Sequence, residues 1–254
     1  MKPLLEVKNL TFAFRTKIVL SGIDFSARRG SFTAILGPNG CGKTTLLKLI
    51  QRLYSPGEGR VTLSGVDLRL FPRRELAARI AAVSQTVPRA FDFTVSQFVM
   101  LGRTPHLGFW KHENSKDREV VEDALRRASC AEYRQSLISE LSAGEFQRVC
   151  VAAALAQEPE ILLLDEPTSF LDLRQSRRLS QLLSQLVAGG MTVLCASHDI
   201  SFLRPLADSA LLLNRGRSVG FGPATDLLAS SALQTLFEEE EQIPPQVKNY
   251  ECSF

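Results

Sequence analysis

The 254-residue sequence has no apolar run that approaches the ~20 residues a membrane-spanning helix needs. Its longest apolar runs, such as 161–164 and 210–213, have the length of strands. The first ten residues contain no continuous apolar stretch and do not fit a signal peptide. We therefore expect a chain that does not cross a membrane by itself.

The cysteines lack a pattern, and the charge lacks a dominant sign. The five cysteines form no C-x-x-C pair or zinc-like spacing, and their odd number favours a reducing compartment. The 30 basic and 27 acidic residues give a net charge of +3, too small to argue for nucleic-acid binding. A hydrophobic content of 44% excludes a disordered or collagen-like chain. We therefore expect a cytosolic globular protein that binds no nucleic acid.

The sequence instead contains strand-like segments that alternate with helix-like ones. Apolar and polar residues alternate around Leu5 and Val7, and again around Ile23 and Phe25, which predicts strands. Compact apolar runs predict buried strands at 31–36, 80–83, 161–164 and 192–195, and a hairpin at 210–221. Apolar residues at helical spacing predict three helix faces: Leu46, Leu47, Leu49, Ile50 and Leu53; Val120, Val121, Ala124, Leu125 and Ala128; and Leu179, Leu182, Leu183 and Leu186.

The order of these segments predicts an α/β fold with a mostly parallel core sheet, an N-terminal antiparallel β part and an inserted helical subdomain. We expect residues 1–86 and 160–240 to form the core and residues 87–159 to form the helical subdomain. Residues 241–254 are predicted to be a C-terminal tail, and the acidic run at 238–241 to be solvated.

A glycine-rich motif follows the predicted strand 31–36 and opens a helix. It matches G-x-x-x-x-G-K-[ST] and consists of Gly37, Pro38, Asn39, Gly40, Cys41, Gly42, Lys43 and Thr44. Its glycines let backbone N–H groups surround a phosphate chain, and the helix N-terminus adds a partial positive charge. Lys43 would contact the β- and γ-phosphates of ATP, and Thr44 would ligate Mg²⁺. The alternative is a plain turn, but the strand–loop–helix context favours nucleotide binding by the core.

The predicted strand 161–164 ends in two adjacent carboxylates, Asp165 and Glu166. Ligands bind at the carboxyl ends of parallel strands. Asp165 can hold Mg²⁺ through water, and Glu166 can polarise a water that attacks the γ-phosphate. A strand that ends in a polar turn before Pro167 would explain the same residues, although the glycine-rich motif makes this alternative weaker.

A third motif, Leu-Ser-Ala-Gly-Glu at 141–145, contains an S-x-x-E capping box formed by Ser142 and Glu145. The simplest interpretation is a well-capped helix. The functional alternative is a second anion site at the helix N-terminus, with Gly144 in the first turn.

The order of these motifs, followed by a histidine after the next strand, resembles the ABC-type ATPases over residues 4–237. The stretch 141–145 is similar to their LSGGQ signature, with Ala143 in place of a glycine and Glu145 in place of a glutamine. The resemblance implies two copies facing head to tail. ATP would then lie on the glycine-rich loop of one copy, including Thr45, and under Ser142 and Gly144 of the other.

The resemblance implies roles for four further residues. Phe14 lies where the family places an adenine-stacking aromatic, although Phe12 shares its face and either ring could belong to the core. Gln85 resembles the Q-loop glutamine, which contacts Mg²⁺ and water. His198 resembles the switch histidine near the γ-phosphate, and Asp172 resembles the D-loop aspartate that meets the partner copy. Asp172 could equally cap a helix, and a lone histidine is often structural.

The resemblance also narrows the machine that such an ATPase drives. A single domain without membrane spans favours a separate motor subunit that docks on a permease and acts indirectly with a binding protein. The segment 93–106 is similar to a stretch of importers for iron–siderophores, haem and cobalamin, and is expected to form a permease-facing surface near Gln85. We therefore expect a peripheral protein on the cytoplasmic face of the inner membrane. The alternatives are a soluble ABC-type ATPase in regulation or repair and a small-molecule kinase, which would leave the signature helix unexplained.

Overall fold

The computed structural model describes residues 2–87, 92–107, 113–229 and Leu233. The strands are β1 (Leu5–Phe14), β2 (Lys17–Ala27), β3 (Phe32–Leu36), β4 (Glu58–Leu63), β5 (Val66–Asp67), β6 (Ile80–Val83), β7 (Ile161–Asp165), β8 (Thr192–Ser197), β9 (Ser209–Asn214) and β10 (Arg217–Pro223). The α-helices are α1 (Lys43–Ile50), α2 (Arg73–Arg79), α3 (Val95–Met100), α4 (Ser115–Arg127), α5 (Ala143–Ala156), α6 (Leu173–Ala188), α7 (Ile200–Leu203) and α8 (Ala224–Leu227).

The smaller sheet is antiparallel, with strand order β2-β1-β4-β5. Leu5, Val7, Ile23 and Phe25 are all buried in it, because residues two apart on a strand face the same side. This sheet is the antiparallel part that the alternating N-terminal pattern predicts.

The larger sheet has strand order β10-β9-β3-β8-β7-β6. Strands β9, β3, β8, β7 and β6 run parallel, and β10 folds back on β9 as a hairpin. The central strand β3 is buried on both sides, with Phe32, Ala34 and Leu36 in one apolar layer and Ile35 in the other. The α/β class is confirmed. Because the strands are parallel, the loops that follow β3, β6, β7 and β8 emerge at one edge of the sheet.

The helices follow the predicted apolar faces with one exception. Val121, Ala124 and Leu125 of α4 are buried, as are all four predicted leucines of α6. The assignment of Leu53 to the apolar face of α1 is wrong: the helix ends at Ile50, and Leu53 is 64% exposed. Arg52 has a φ of 56°, a left-handed conformation that cannot continue the helix.

The segment from 93 to 106 contains a buried cation, Arg103. Arg103 is 3% exposed; its guanidinium donates to Asp117 Oδ1 at 3.0 Å and to Glu158 Oε2 and the Ala156 carbonyl at 2.7 Å each. Arg74 Nε donates to the Pro105 carbonyl at 2.7 Å. Arg103 therefore joins α4 to the end of α5, and the expectation of a surface role is wrong for this residue. The acidic run at 238–241 and the tail at 241–254 lie outside the described residues.

Candidate active site

The loop between β3 and α1 has a backbone that only glycine fits at two positions. Gly42 has a φ of 111°, and a Cβ there would lie 2.6 Å from Leu20 Cδ2 and 3.2 Å from the Val19 carbonyl oxygen. A Cβ at Gly37 would overlap the Leu213 carbonyl oxygen. The loop is therefore packed between β2 and the end of β9, and its glycines allow this close approach.

The first turn of α1 has no side-chain cap in the described part of the chain, because its N-cap residue is Gly42. Its N–H groups are therefore available to an anion, with the positive end of the helix dipole behind them. In front of this turn is a cavity of about 230 Å³, lined by Val19, Asn39, Gly40, Gly42, Lys43, Thr44, Thr45, Gln85 and Glu166.

Lys43 is held inside the site by oxygen atoms of its own loop. Its ammonium donates to the Gly37 carbonyl at 2.7 Å and to the Pro38 carbonyl at 3.2 Å, and the residue is 6% exposed. Lys43 Nζ also lies 3.2 Å from Glu166 Oε1, although this oxygen has no hydrogen-bond partner among the described residues. A cation is thus placed at the back of the cavity, where a phosphate chain would lie.

Thr44 and Asp165 meet across the same edge of the sheet. Thr44 Oγ1 donates to Asp165 Oδ1 at 3.1 Å. Burial raises the pKa of the Asp165 carboxyl and the nearby Glu166 adds to the rise, whereas the hydrogen bond from Thr44 opposes it. A hydroxyl and a carboxylate side by side provide the hard oxygen ligands that Mg²⁺ prefers.

Glu166 follows β7 in a strained conformation and contacts His198. Its φ is 47°, which is unusual for a residue with a side chain. Its Oε2 lies 2.9 Å from His198 Nδ1 and also accepts from Ser197 Oγ at 3.3 Å. The loops after β7 and β8 therefore form a buried carboxylate that is oriented by a half-exposed imidazole.

Gln85 lies in the loop after β6, near the same carboxylate. Its Nε2 donates to Ser169 Oγ at 3.4 Å. Gln85 and Glu166 also line a second cavity, of about 330 Å³, whose other walls include Phe146 and Phe170. Gln85 and the segment after Glu166 are therefore neighbours.

Ser142 caps α5, as the capping-box pattern predicts. Its hydroxyl accepts from the Glu145 N–H at 3.4 Å, and Glu145 Oε2 accepts from the Ser142 N–H at 2.9 Å and from its hydroxyl at 2.6 Å. Hydrogen bonds from Ser142, and a further one from Tyr133, lower the pKa of the Glu145 carboxyl. The Glu145 N–H is thus satisfied by a side chain of the same helix start.

Gly144 is buried in the first turn of α5. A Cβ on Gly144 would lie 2.6 Å from Gln175 Cδ, so the side chain of Gln175 covers it. The carboxylate of Asp172 accepts from the Gln175 N–H at 2.7 Å and caps α6. Asp172 and Gln175 therefore form the predicted helix cap at the start of α6, directly beside the first turn of α5.

Phe12 and Phe14 differ in exposure. Phe12 is 9% exposed and belongs to the core of the smaller sheet, whereas Phe14, at the end of β1, is 45% exposed. Phe14 does not line the cavity in front of α1, but Val19, on the paired strand β2, does. Of the two rings, Phe14 is the one available to a ligand.

The structure therefore brings together Lys43, Thr44, Gln85, Asp165, Glu166 and His198 at the carboxyl edge of the sheet. Ser142, Gly144 and Asp172 lie apart from the cavity in front of α1, on the starts of α5 and α6. Two supporting residues were missed. Leu213 packs behind Gly37, and the Gly216 N–H donates to the Cys41 carbonyl at 3.1 Å. No local pattern marks these contacts, because they join segments that are ~175 residues apart.

Comparisons with known proteins agree with this geometry. The family model described as ABC transporter matches residues 20–169, and a second, an AAA domain of a putative AbiEii toxin of a type IV toxin–antitoxin system, matches 137–204. The iron(3+)-hydroxamate import ATP-binding protein FhuC of Bacillus subtilis (strain 168) is 32% identical over 94% of this chain and 89% of its own length. The zinc uptake system ATP-binding protein ZurA of Listeria monocytogenes is 33% identical over 95% of both chains.

A solved structure shows the same fold. The chain is similar to cbiO1 from Clostridium perfringens, part of the ABC transporter complex cbiONQ, with a TM-score of 0.82, 27% identity, and coverage of 94% of this chain and 96% of that one. In the described residues, no helix is long and apolar enough to cross a membrane. The chain belongs to the ABC transporter family, as an ATP-binding subunit that hydrolyses ATP to drive import.

Proposed function

We propose that this chain drives the import of a chelated metal, with a ferric siderophore as the first candidate and haem or cobalamin as related ones. The observation that carries the proposal is the segment 93–106, which is similar to a stretch of importers for such complexes. FhuC, which is named for iron(3+)-hydroxamate import, supports it, while ZurA, which is named for zinc uptake, is about as similar. The proposal therefore depends on the segment rather than on overall identity.

ATP would lie along the loop between β3 and α1. The uncapped N–H groups of α1 would bind phosphate oxygens, and Lys43 would exchange its carbonyl contacts for the β- and γ-phosphates. Thr44 and Asp165 fit a Mg²⁺ ion, because their oxygens lie 3.1 Å apart and the carboxylate is buried. Bound there with Gln85, the ion would neutralise charge on the phosphates.

Glu166 is the proposed general base. It is buried, and its Oε2 is fixed by His198, so its Oε1 is the oxygen that could orient a water toward the γ-phosphate. Oε1 faces Lys43 Nζ at 3.2 Å. Binding of the phosphates would attract Lys43 and free this oxygen, which couples the start of hydrolysis to occupancy of the loop.

The second half of the site would come from another copy of the chain. Ser142 is exposed at the start of α5, yet it does not line the cavity in front of α1 of its own chain. In a head-to-tail dimer, Ser142 and the helix turn above Gly144 would cover the ATP bound to the partner, and Asp172 would lie at the same interface. Closure on ATP and opening after hydrolysis would move the permease.

We further propose that the chain works as a peripheral protein on the cytoplasmic face of the membrane, attached to permease subunits. Leu53 and Leu70 are large apolar residues that are 64% and 76% exposed. Arg52 links their two loops by donating to the carbonyls of Leu68 and Phe71. We propose that the helical subdomain (87–159) and the core (1–86 and 160–240) are the two bodies whose relative movement would be transmitted to such a permease.

Uptake assays in a strain that lacks this chain test the cargo. We expect loss of ⁵⁵Fe uptake from a ferric siderophore, restored by the wild-type chain and not by Glu166→Gln at equal abundance. Parallel assays use ⁶⁵Zn without a chelator and radiolabelled cobalamin.

Loss of zinc uptake alone would contradict a chelated cargo while leaving the motor function intact. Unchanged uptake of every probe, together with a chain that stays out of the membrane fraction, would favour the soluble ATPase alternative.

A further inference from the structure

Three aromatic rings form a triangle at the edge of the smaller sheet. Phe12 and Tyr54 are stacked, with ring centroids 5.3 Å apart and planes 11° apart. Phe14 meets both at nearly a right angle, 4.8 Å from Phe12 and 5.2 Å from Tyr54. Among the rings that the structure describes, none is stacked in parallel on Phe14, which is 45% exposed. Edge-to-face contacts thus fix its orientation without a parallel partner on its faces.

Tyr54 is anchored from two sides. It follows the end of α1, where its N–H donates to the Lys48 carbonyl at 3.4 Å and the Lys48 ammonium lies 5.8 Å from its ring centroid. Further along the same loop, the Gly57 N–H donates to the Thr11 carbonyl of β1 at 2.9 Å. The ring therefore connects the helix whose N-terminus faces the phosphates to the strand that carries Phe14.

We propose that Tyr54 is a positioning residue for the nucleotide base. Its ring holds Phe14 in the orientation that stacks on adenine, so that the base end and the phosphate end of the site are both set by α1. This inference rests on the proposed function and on the adenine contact that the family resemblance implies for Phe14. Tyr54 itself touches no part of the nucleotide in this arrangement.

The expected effect is confined to the base. Without Tyr54, the ring of Phe14 keeps only one of its two edge-to-face contacts with the described rings, the one with Phe12. It then samples other orientations, which must be lost again on binding. One edge-to-face contact corresponds to a roughly two- to tenfold change in affinity. The phosphates are bound by the glycine-rich loop, so a ligand without a base should be unaffected.

The test compares full-length Tyr54→Ala, Tyr54→Phe and Tyr54→Leu with the wild type. The readouts are KM for ATP, kcat, and inhibition by tripolyphosphate, which has the phosphates and no base. Phe221→Ala is the matched control, since Phe221 is a half-exposed ring that pairs with Phe25 at 6.0 Å in another region.

We expect Tyr54→Ala and Tyr54→Leu to raise KM roughly two- to tenfold at unchanged kcat and unchanged tripolyphosphate inhibition, and Tyr54→Phe and Phe221→Ala to behave as the wild type. If Tyr54→Ala does not fold, Tyr54→Leu preserves the comparison. An equal weakening of ATP and tripolyphosphate, or no change in KM, would overturn the proposal.

Phe14→Ala separates this inference from the function on which it rests. If Phe14→Ala leaves KM unchanged, the adenine contact itself is wrong. If Phe14→Ala raises KM, adding Tyr54→Ala to it should have no further effect, because Tyr54 acts through Phe14. Additive effects in the double variant would assign Tyr54 an independent role and would contradict positioning.

Discussion

The two glycine-containing helix starts of this chain are built in opposite ways. At the start of α1, Gly42 provides no side-chain cap, and the N–H groups face a cavity. At the start of α5, Ser142 and Glu145 satisfy each other's N–H groups, and Gly144 is covered by Gln175. The first start has no side-chain cap, whereas the second has a capping box within its own chain. A capped helix end can contribute to a ligand site only when another surface brings the ligand to it.

The largest effect, on ATP binding and hydrolysis together, should come from Lys43→Ala at the uncapped start of α1. Removal of the cation that faces the phosphates should lower kcat about 100- to 1000-fold and weaken ATP binding. The side chain is buried against the carbonyls of Gly37 and Pro38, so some loss of stability is also expected. Steady-state ATPase assays and nucleotide titrations measure the first effect, and thermal unfolding controls for the second. A folded variant with nearly normal activity would contradict the assignment of Lys43.

Glu166→Gln should preserve ATP binding while it largely stops hydrolysis. It should therefore show whether the start of α5 takes part in an ATP-bound dimer. The amide cannot act as a base, so hydrolysis should fall about 100- to 10,000-fold. ATP should still bind, because Lys43, Thr44 and Asp165 remain, and the dimer should accumulate. Size-exclusion chromatography with Mg-ATP at high protein concentration measures the fraction of dimer.

Adding Ser142→Arg to Glu166→Gln should dissociate the ATP-bound dimer, because a bulky cation would occupy the place of the γ-phosphate bound to the partner. Ser142→Ala in the same background is the control: it loses the cap, at a cost of about 1 kcal/mol, without adding bulk. A dimer that survives Ser142→Arg would contradict the shared site.

The comparison also explains what the sequence could predict. The glycine-rich loop is one continuous stretch of sequence, and Asp165 and Glu166 are adjacent, so local patterns predict the chemistry of each. The contact between Glu166 and His198 depends on β7 and β8 being parallel neighbours. The strand–helix pattern predicted parallel strands, whereas only the resemblance placed His198 near the γ-phosphate. The burial of Gly144 and of Arg103 could not be predicted, because each is covered by residues that are distant in the sequence. The same limit applies to Gly216, whose turn supports the glycine-rich loop from ~175 residues away.

The loop before α1 is supported by the distant turn that contains Gly216. A substitution at Gly216 should therefore lower the free energy of unfolding moderately. Its φ is 78°, and a Cβ there would overlap the Val19 carbonyl oxygen. Gly65 is a matched control, since its φ is 83° and no heavy atom lies within 4 Å of a Cβ. Gly65→Ala should cost about 1 kcal/mol of unfolding free energy from backbone strain alone, and Gly216→Ala about 1–3 kcal/mol more. Urea unfolding tests the order; equal costs would mean that the turn does not support the loop.

The smallest effect, a change in stability, should come from Glu145→Gln at the capped start of α5. The glutamine can still accept from the Ser142 N–H, so the main loss is the favourable charge at the helix N-terminus, worth about 0.5 kcal/mol. Hydrogen bonds from Ser142 lower the pKa of Glu145, so its carboxylate stabilises the fold above the unfolded pKa of about 4.3. This stability is lost as the pH falls through the lower, folded pKa. The difference in stability between wild type and variant should therefore be present at pH 7 and vanish in acid. Unfolding free energies measured from pH 7 down to about pH 3 test this. A difference that is the same at every pH would place the effect in packing rather than in the charge of the cap.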